Sequence, residues 1–221
     1  MARIARVVVP GVPHHITQRG NRKQKVFFSD ADYQHYMSLV AEGCKKAGAD
    51  VWAYCLMPNH VHLIVVPPEK DSLRAAIADA HRRYARTLNA REELTGHLWQ
   101  DRFASFPMDE KYTIAAARCI EMNPVAANVV KRPEDYRWSS AKAHLNGKDD
   151  TLVRVRPLLD IVPGWKDLLA GAVEEKEMKA FTLHETTGRP LGNMDFMKRM
   201  EKESGRKLIP GKRGPKAKSG K

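Results

Sequence analysis

The chain has 221 residues, with 38 Lys and Arg against 26 Asp and Glu, for a net charge of +12. This length allows one ordinary domain, or a domain with an appendage, and the basic balance points to a polyanionic partner, nucleic acid first. Three scattered cysteines, Cys44, Cys55 and Cys119, exclude a disulfide framework and a zinc ribbon and fit a reducing cytosol; the N-terminus lacks a signal-peptide core, and no apolar run nears the roughly 20 residues of a membrane span.

In chain order, Pro10-Gly11-Val12-Pro13 breaks the backbone and residues 14–19 read as a short strand ending at the Gly20-Asn21 turn. Arg22, Lys23 and Lys25 follow, a loop that can grip phosphate or simply face solvent. Ser29 with Asp32 makes a capping box for a helix over 30–47, where Tyr36, Leu39, Val40 and Cys44 recur at helical spacing. Residues 51–56 are the next strand, Met57-Pro58-Asn59 a turn and 60–66 the returning strand. Side chains alternate along a strand, so His60 and His62 share a face while Val61, Leu63 and Val65 share the other. Two imidazoles side by side on a rigid strand are either the polar half of an amphipathic strand or a ready pair of metal ligands.

The pattern Leu73, Ile77, Ala80, Tyr84, Leu88 predicts a helix over 72–91, with Arg74, Arg82, Arg83 and Arg86 on its remaining surface as candidate phosphate contacts. A strand is expected over 98–106, where Trp99, Phe103 and Phe106 belong either to the core or to a base-stacking platform. Asp109 caps a helix over 110–122 that Asn123-Pro124 should end. On that helix Tyr112, Ala115, Ala116, Cys119 and Asn123 fall near one stripe. These elements spell a ferredoxin-like α+β fold, a four-stranded antiparallel sheet with helices on one face. A closing helix is expected over 135–145, then a linker at 147–150, a helical region over 156–182 and a helix over 193–204. Expected domain limits are therefore 1–147, a helical basic extension over 148–205 and a disordered tail over 206–221. Lys198 to Lys221 carries ten basic residues against two acidic ones, so the tail, with Lys212 and Arg213, should add salt-sensitive affinity for DNA or RNA.

Several segments together resemble the REP-associated tyrosine transposases, relatives of the single-tyrosine transposases of small insertion sequences. They are Pro13-His14-His15-Ile16-Thr17-Gln18-Arg19-Gly20-Asn21, Met57-Pro58-Asn59-His60-Val61-His62-Leu63, Leu98-Trp99-Gln100 with Arg102-Phe103, and Glu121-Met122-Asn123-Pro124-Val125; Gly188-Arg189-Pro190-Leu191-Gly192 is similar to the tail of some members. The resemblance implies a bacterial, nucleoid-associated cytoplasmic protein that binds single-stranded or hairpin DNA of repeated elements and cleaves and transfers strands. It implies that His60, His62 and Asn123 hold one Mg2+ or Mn2+ ion against the scissile phosphate, and that a tyrosine one turn before the amide attacks phosphorus to leave a 5′-phosphotyrosine. Arg19, Asn21, Arg22, Arg82, Arg83, Arg102, Lys212 and Arg213 would contact DNA. Relatives include dimers and monomers, and a monomer is expected.

At the position of the family's tyrosine this sequence has Cys119. Its sulfur reaches about 3 Å from Cα where a phenolic oxygen reaches roughly 6.5 Å, and a misplacement of about 1 Å can cost around a hundredfold in rate. Substitute nucleophiles are Tyr112, about 10 Å further along the same helix, Tyr84, or water at the ion. If none serves, the protein is a domesticated or inactive relative that only binds DNA. Two more departures are Ala126-Ala127-Asn128, where relatives carry an arginine and a glycine, and Asp101, where glycine is common.

Overall fold

Alternating apolar residues build four strands, β1 (His14–Arg19), β2 (Asp50–Met57), β3 (His60–Val66) and β4 (Ala104–Pro107), in a computed structural model that describes residues 4–172 and 174–209. The sheet order is β2-β3-β1-β4, with the three strand pairs antiparallel. β1 is thus parallel to β2 and β3 to β4, so each connection is a crossover and carries a helix. The first is α1 (Asp30–Ala47) and the second α2 (Asp79–Arg91), which is entered through a wide π-helical turn at Arg74–Ala78. This is the expected ferredoxin-like arrangement.

The capping box forms as read: the Ser29 N–H donates to Asp32 Oδ2 at 2.9 Å, and Arg91 at the end of α2 donates to Asp32 Oδ1 at 2.5 Å. Burial would raise the Asp32 carboxyl, but the Arg91 guanidinium and the Phe28 and Ser29 N–H groups hold it below the usual range. α1 lies close on the π-turn because residue 43 is glycine; a Cβ there would sit 2.6 Å from the Ala76 carbonyl oxygen.

The second sheet face is also covered. Helix α3 (Glu110–Ala126) contacts β2 and β3, and beside it runs α7 (Glu175–Thr187), whose Phe181 packs edge-on to His15 and whose Glu185 accepts from Thr17 Oγ1 at 2.6 Å. Between them in sequence lie α4 (Ala141–Leu145), α5 (Arg156–Leu159) and α6 (Trp165–Ala170). Leu158, Trp165, Leu169, Phe181 and Leu191 join the same core as the sheet. The last helix, α8 (Met194–Ser204), closes a smaller core with Val7, Val9 and Val12 through Phe196, Met197 and Met200.

Four expected elements differ. The strand over 98–106 is only Ala104–Pro107, because Trp99 and Phe103 are buried by loop packing instead of by alternation: Trp99 Nε1 donates to the His81 carbonyl and the Arg6 guanidinium covers the Phe103 ring. All three aromatics of that stretch are core residues. Helix α3 passes through Pro124 to Ala126, since proline removes one N–H while the Ala127 N–H still closes on the Asn123 carbonyl, and Asn128 then adopts φ +56. The closing helix over 135–145 shrinks to Ala141–Leu145 because residues before it run along the free edge of β2, where Leu56 N–H donates to the Trp138 carbonyl and Cys55 bridges Ser139. The helical region over 156–182 is three helices. Lys212 and Arg213, and most of the expected tail, lie outside the described residues.

Candidate functional site

Strand register sets the centre of the site. Directly opposed residues of an antiparallel pair point to the same face, so His60 stands beside Arg19 and His62 beside Thr17, with His15 next along β1. The His60 and His62 rings are 5.0 Å apart and nearly perpendicular. His62 stacks on His15, with His62 Nδ1 3.2 Å from His15 Nε2, and His60 Nδ1 lies 2.6 Å from Asn59 Oδ1. Desolvation, with a smaller contribution from Arg19, lowers His60 to about 4; desolvation and the neighbouring His15, His60 and Arg19 hold His62 well below its usual value. Both rings are therefore neutral at physiological pH and carry a lone pair. With each Nδ1 engaged, each Nε2 is the nitrogen left to bind a cation, the pattern in which a second partner fixes a ligand's tautomer.

This donor set fits the divalent ion that the resemblance implies. Among the described residues no group of three or more His, Cys, Asp or Glu could hold a metal, so a third protein ligand would have to be an amide or hydroxyl, or the ion would fill its sphere with water and phosphate oxygen. Asn123 sits half-buried near the end of α3, one turn beyond Cys119; among the described residues its side chain makes no hydrogen bond to either histidine.

The nucleophile candidates are separated by their surroundings. Cys119 is half-buried next to the Arg118–Glu177 ion pair, whose nitrogen and oxygen are 2.6 Å apart. Burial, reinforced by the Glu177 carboxylate and eased by Arg118, pushes its thiol up to about 12, so thiolate is scarce at neutral pH. Tyr112 is half-buried with its ring edge-on to Phe181 at 6.3 Å. Tyr84 is a core residue: its hydroxyl donates to the Val26 carbonyl at 2.5 Å.

The candidate DNA contacts fall into groups. Arg19 is exposed beside His60, and Asn21, Arg22 and Lys23 form a short 3-10 turn in which Arg22 and Lys23 both take left-handed backbone angles, φ +52 and +63. Gly20 is needed before it, because a Cβ there would meet the Gln24 carbonyl oxygen at 2.2 Å. Arg102 lies in a groove of about 530 Å³ lined also by Thr17, Arg19, Gln100, Asp101 and Glu185. Arg82 and Arg83 are a different matter: Arg82 pairs with Asp79 at 2.5 Å and Arg83 with Glu42 at 3.0 Å. Asp79 is one turn away on the same helix, whereas Glu42 comes from α1 and meets Arg83 only through tertiary packing.

Two residues that hold the site, and one that ties α3 to its neighbouring helices, carried no expected role. His15 and Asn59 stand in segments that carry the family resemblance, yet it takes the strand register to bring His15 to His62 and the turn before β3 to bring Asn59 to His60. Glu121, fully buried on α3, accepts from Ser140 Oγ (2.5 Å), Trp165 Nε1 (2.8 Å) and His144 Nδ1 (2.6 Å). It opens the matching segment Glu121 to Val125, and a carboxylate between Ile120 and Met122 was its other signal.

Comparison with known proteins supplies an independent frame. Residues 9–123, just over half of the chain, match the family model described as "Transposase IS200 like". A solved structure of a REP-associated tyrosine transposase bound to a REP hairpin is similar with a TM-score of 0.54 and 21% identity, covering 70% of this chain and 93% of that one. A candidate transposase from Deinococcus radiodurans R1 aligns with a TM-score of 0.39 and 17% identity over 57% of this chain and 96% of that one. No curated protein sequence matches.

Proposed function

The chain belongs to the IS200-like transposase family, and from that premise we propose that it binds single-stranded or hairpin DNA and cuts it with a divalent ion, Mg2+ or Mn2+, held by His60 and His62. The observation that carries this reading is the pair of neutral, perpendicular imidazoles, each restrained at Nδ1. The structurally similar transposase was solved with a REP hairpin, and a net charge of +12 favours a phosphate backbone. Arg19, beside His60, and the Arg22–Lys23 turn would hold the phosphates flanking the cut; Asn123 remains the candidate amide ligand from α3. When bound, the ion polarises a phosphate oxygen and makes a water acidic enough to attack.

The protonated, half-buried Cys119 favours water as nucleophile. Its oxygen would form the new P–O bond while the bond to one deoxyribose oxygen breaks and that oxygen takes up a proton. No covalent protein–DNA link forms on this route, so cleavage is uncoupled from strand transfer. A second reading, DNA binding without cleavage, rests on the same cysteine. The test is a hairpin oligonucleotide labelled at both ends, incubated with Mn2+ and with wild type, Cys119→Tyr, Tyr112→Phe or His62→Ala. Wild type and Tyr112→Phe should nick without an adduct and His62→Ala should not nick. A wild-type adduct lost in Tyr112→Phe would transfer the role to that tyrosine, and binding without any nick would establish the second reading.

A further inference from the structure

Asn59 touches two parts of the site at once. An amide oxygen only accepts, so its Oδ1, 2.6 Å from His60 Nδ1, requires the Nδ1–H tautomer and leaves the Nε2 lone pair outward. The other end of the same amide, Nδ2, donates to the Lys23 carbonyl at 3.3 Å. A flipped amide could still pair with His60 in its Nε2–H tautomer but would set its oxygen against the Lys23 carbonyl, so the Lys23 contact fixes the amide orientation and, through it, the His60 tautomer. Lys23 belongs to the basic turn whose non-glycine backbone is held at positive φ. That turn is anchored on the same hairpin loop, with the Gly20 N–H donating to the Asn59 carbonyl and the Val26 N–H to the Pro58 carbonyl, each at 2.8 Å. His15, which restrains His62, has no such second connection: its Nδ1 is buried without a hydrogen-bond partner.

We infer that Asn59 is a positioning residue that couples DNA engagement by the Arg22–Lys23 turn to the metal affinity of His60, an inference that rests on reading His60 as a metal ligand. Phosphate on the turn stabilises the backbone that presents the Lys23 carbonyl to Asn59. This in turn fixes the amide orientation that keeps His60 Nε2 available. Because coupling between two binding events is reciprocal, the ion should tighten DNA binding by the same factor by which DNA tightens ion binding.

The test measures Mn2+ binding directly, by calorimetry or electron paramagnetic resonance, with and without a hairpin oligonucleotide, on variants whose melting temperature matches wild type. In wild type the oligonucleotide should tighten Mn2+ binding. Asn59→Ala should weaken Mn2+ binding by about 10- to 100-fold without DNA, the range seen when a ligand's supporting partner is removed. Asn59→Asp keeps an acceptor for His60 but cannot donate to Lys23, so its Mn2+ affinity without DNA should stay within about threefold of wild type while the tightening disappears. A purely structural role would move both variants together. Should Asn59→Ala bind Mn2+ as wild type does while His60→Ala and His62→Ala do not, the coupling is wrong and the metal site stands. If His60→Ala and His62→Ala bind Mn2+ as wild type does, the metal site itself is wrong and the coupling falls with it.

Discussion

His14 and His81 are buried imidazoles outside the site, and their surroundings make acid sensitivity a property of single residues. Desolvation lowers His14 to about 4 against weaker opposing hydrogen bonds to Val12 and Val7, and lowers His81 to about 3 with a small contribution from Arg6. His81 Nε2 shares a hydrogen bond of 2.8 Å with the Tyr36 hydroxyl. In the unfolded chain both would take a proton near 6.5, so the unfolded state binds more protons between that value and the folded ones. Stability is therefore complete above about pH 6.5 and falls as the pH drops toward 4 and below, by a few kcal/mol in order of magnitude. Urea titrations of metal-free protein across that range should show this slope, to which the likewise lowered His15, His60 and His62 add, and His81→Gln should reduce it by one group's share; an unchanged slope would remove His81 from the account. Cys119 was visible in sequence as an oddity, but its protonation depends on burial and then on the Glu177 carboxylate of α7, which no local pattern announces.

At the scale of elements, α3 shows how one buried charge organises several helices. Glu121 collects donors from Ser140, from His144 on α4 and from Trp165 on α6, and His144 stacks on the Trp165 indole at 4.3 Å between centroids. Three donors satisfy a carboxylate that burial would otherwise penalise heavily. Glu121→Gln replaces one acceptor oxygen with an NH2 group facing donors, and should lower the unfolding free energy by about 2–4 kcal/mol in urea. A loss under half a kcal/mol would mean that water already serves these groups. Helix α1 was readable to the residue because its cap and its apolar spacing are local. β4 and the stretch before α4 were not, since Trp99 and Phe103 are buried by distant partners and residues 136–139 leave the helical path to bond along the edge of β2.

For the whole molecule, the chain beyond residue 147 contributes side chains to the interior of the family fold. Phe181 packs on His15, Trp165 on the Glu121 cluster, and α8 covers the apolar residues of the N-terminal segment. We propose that residues 1–147 do not fold stably without 148–205: truncation after Gly147 would uncover Val7, Val9, His15 and Glu121 together. The truncated chain should melt without a cooperative transition in a calorimeter, and a sharp transition near that of the full chain would establish 148–205 as a separable unit. Among the described residues no helix is long and apolar enough to cross a membrane, in line with composition.

By itself the sequence determined the order of the first elements, the antiparallel sheet with its crossover helices, the shared face of His60 and His62, and the loss of tyrosine at Cys119. The first three rest on periodicity, caps and spacing, which act over a few residues; that Cys119 stands at a tyrosine position is what the family resemblance implies. Only the tertiary structure decided which nitrogen each histidine offers, because Asn59 and His15 meet them through a turn and through strand register. It likewise decided that Arg83 pairs with Glu42 of α1, that α7 covers the sheet face of the site beside His15 and Thr17, and that Asn59 joins the basic turn to His60. Those contacts join residues far apart in the chain, and their geometry is set by packing that local pattern does not encode.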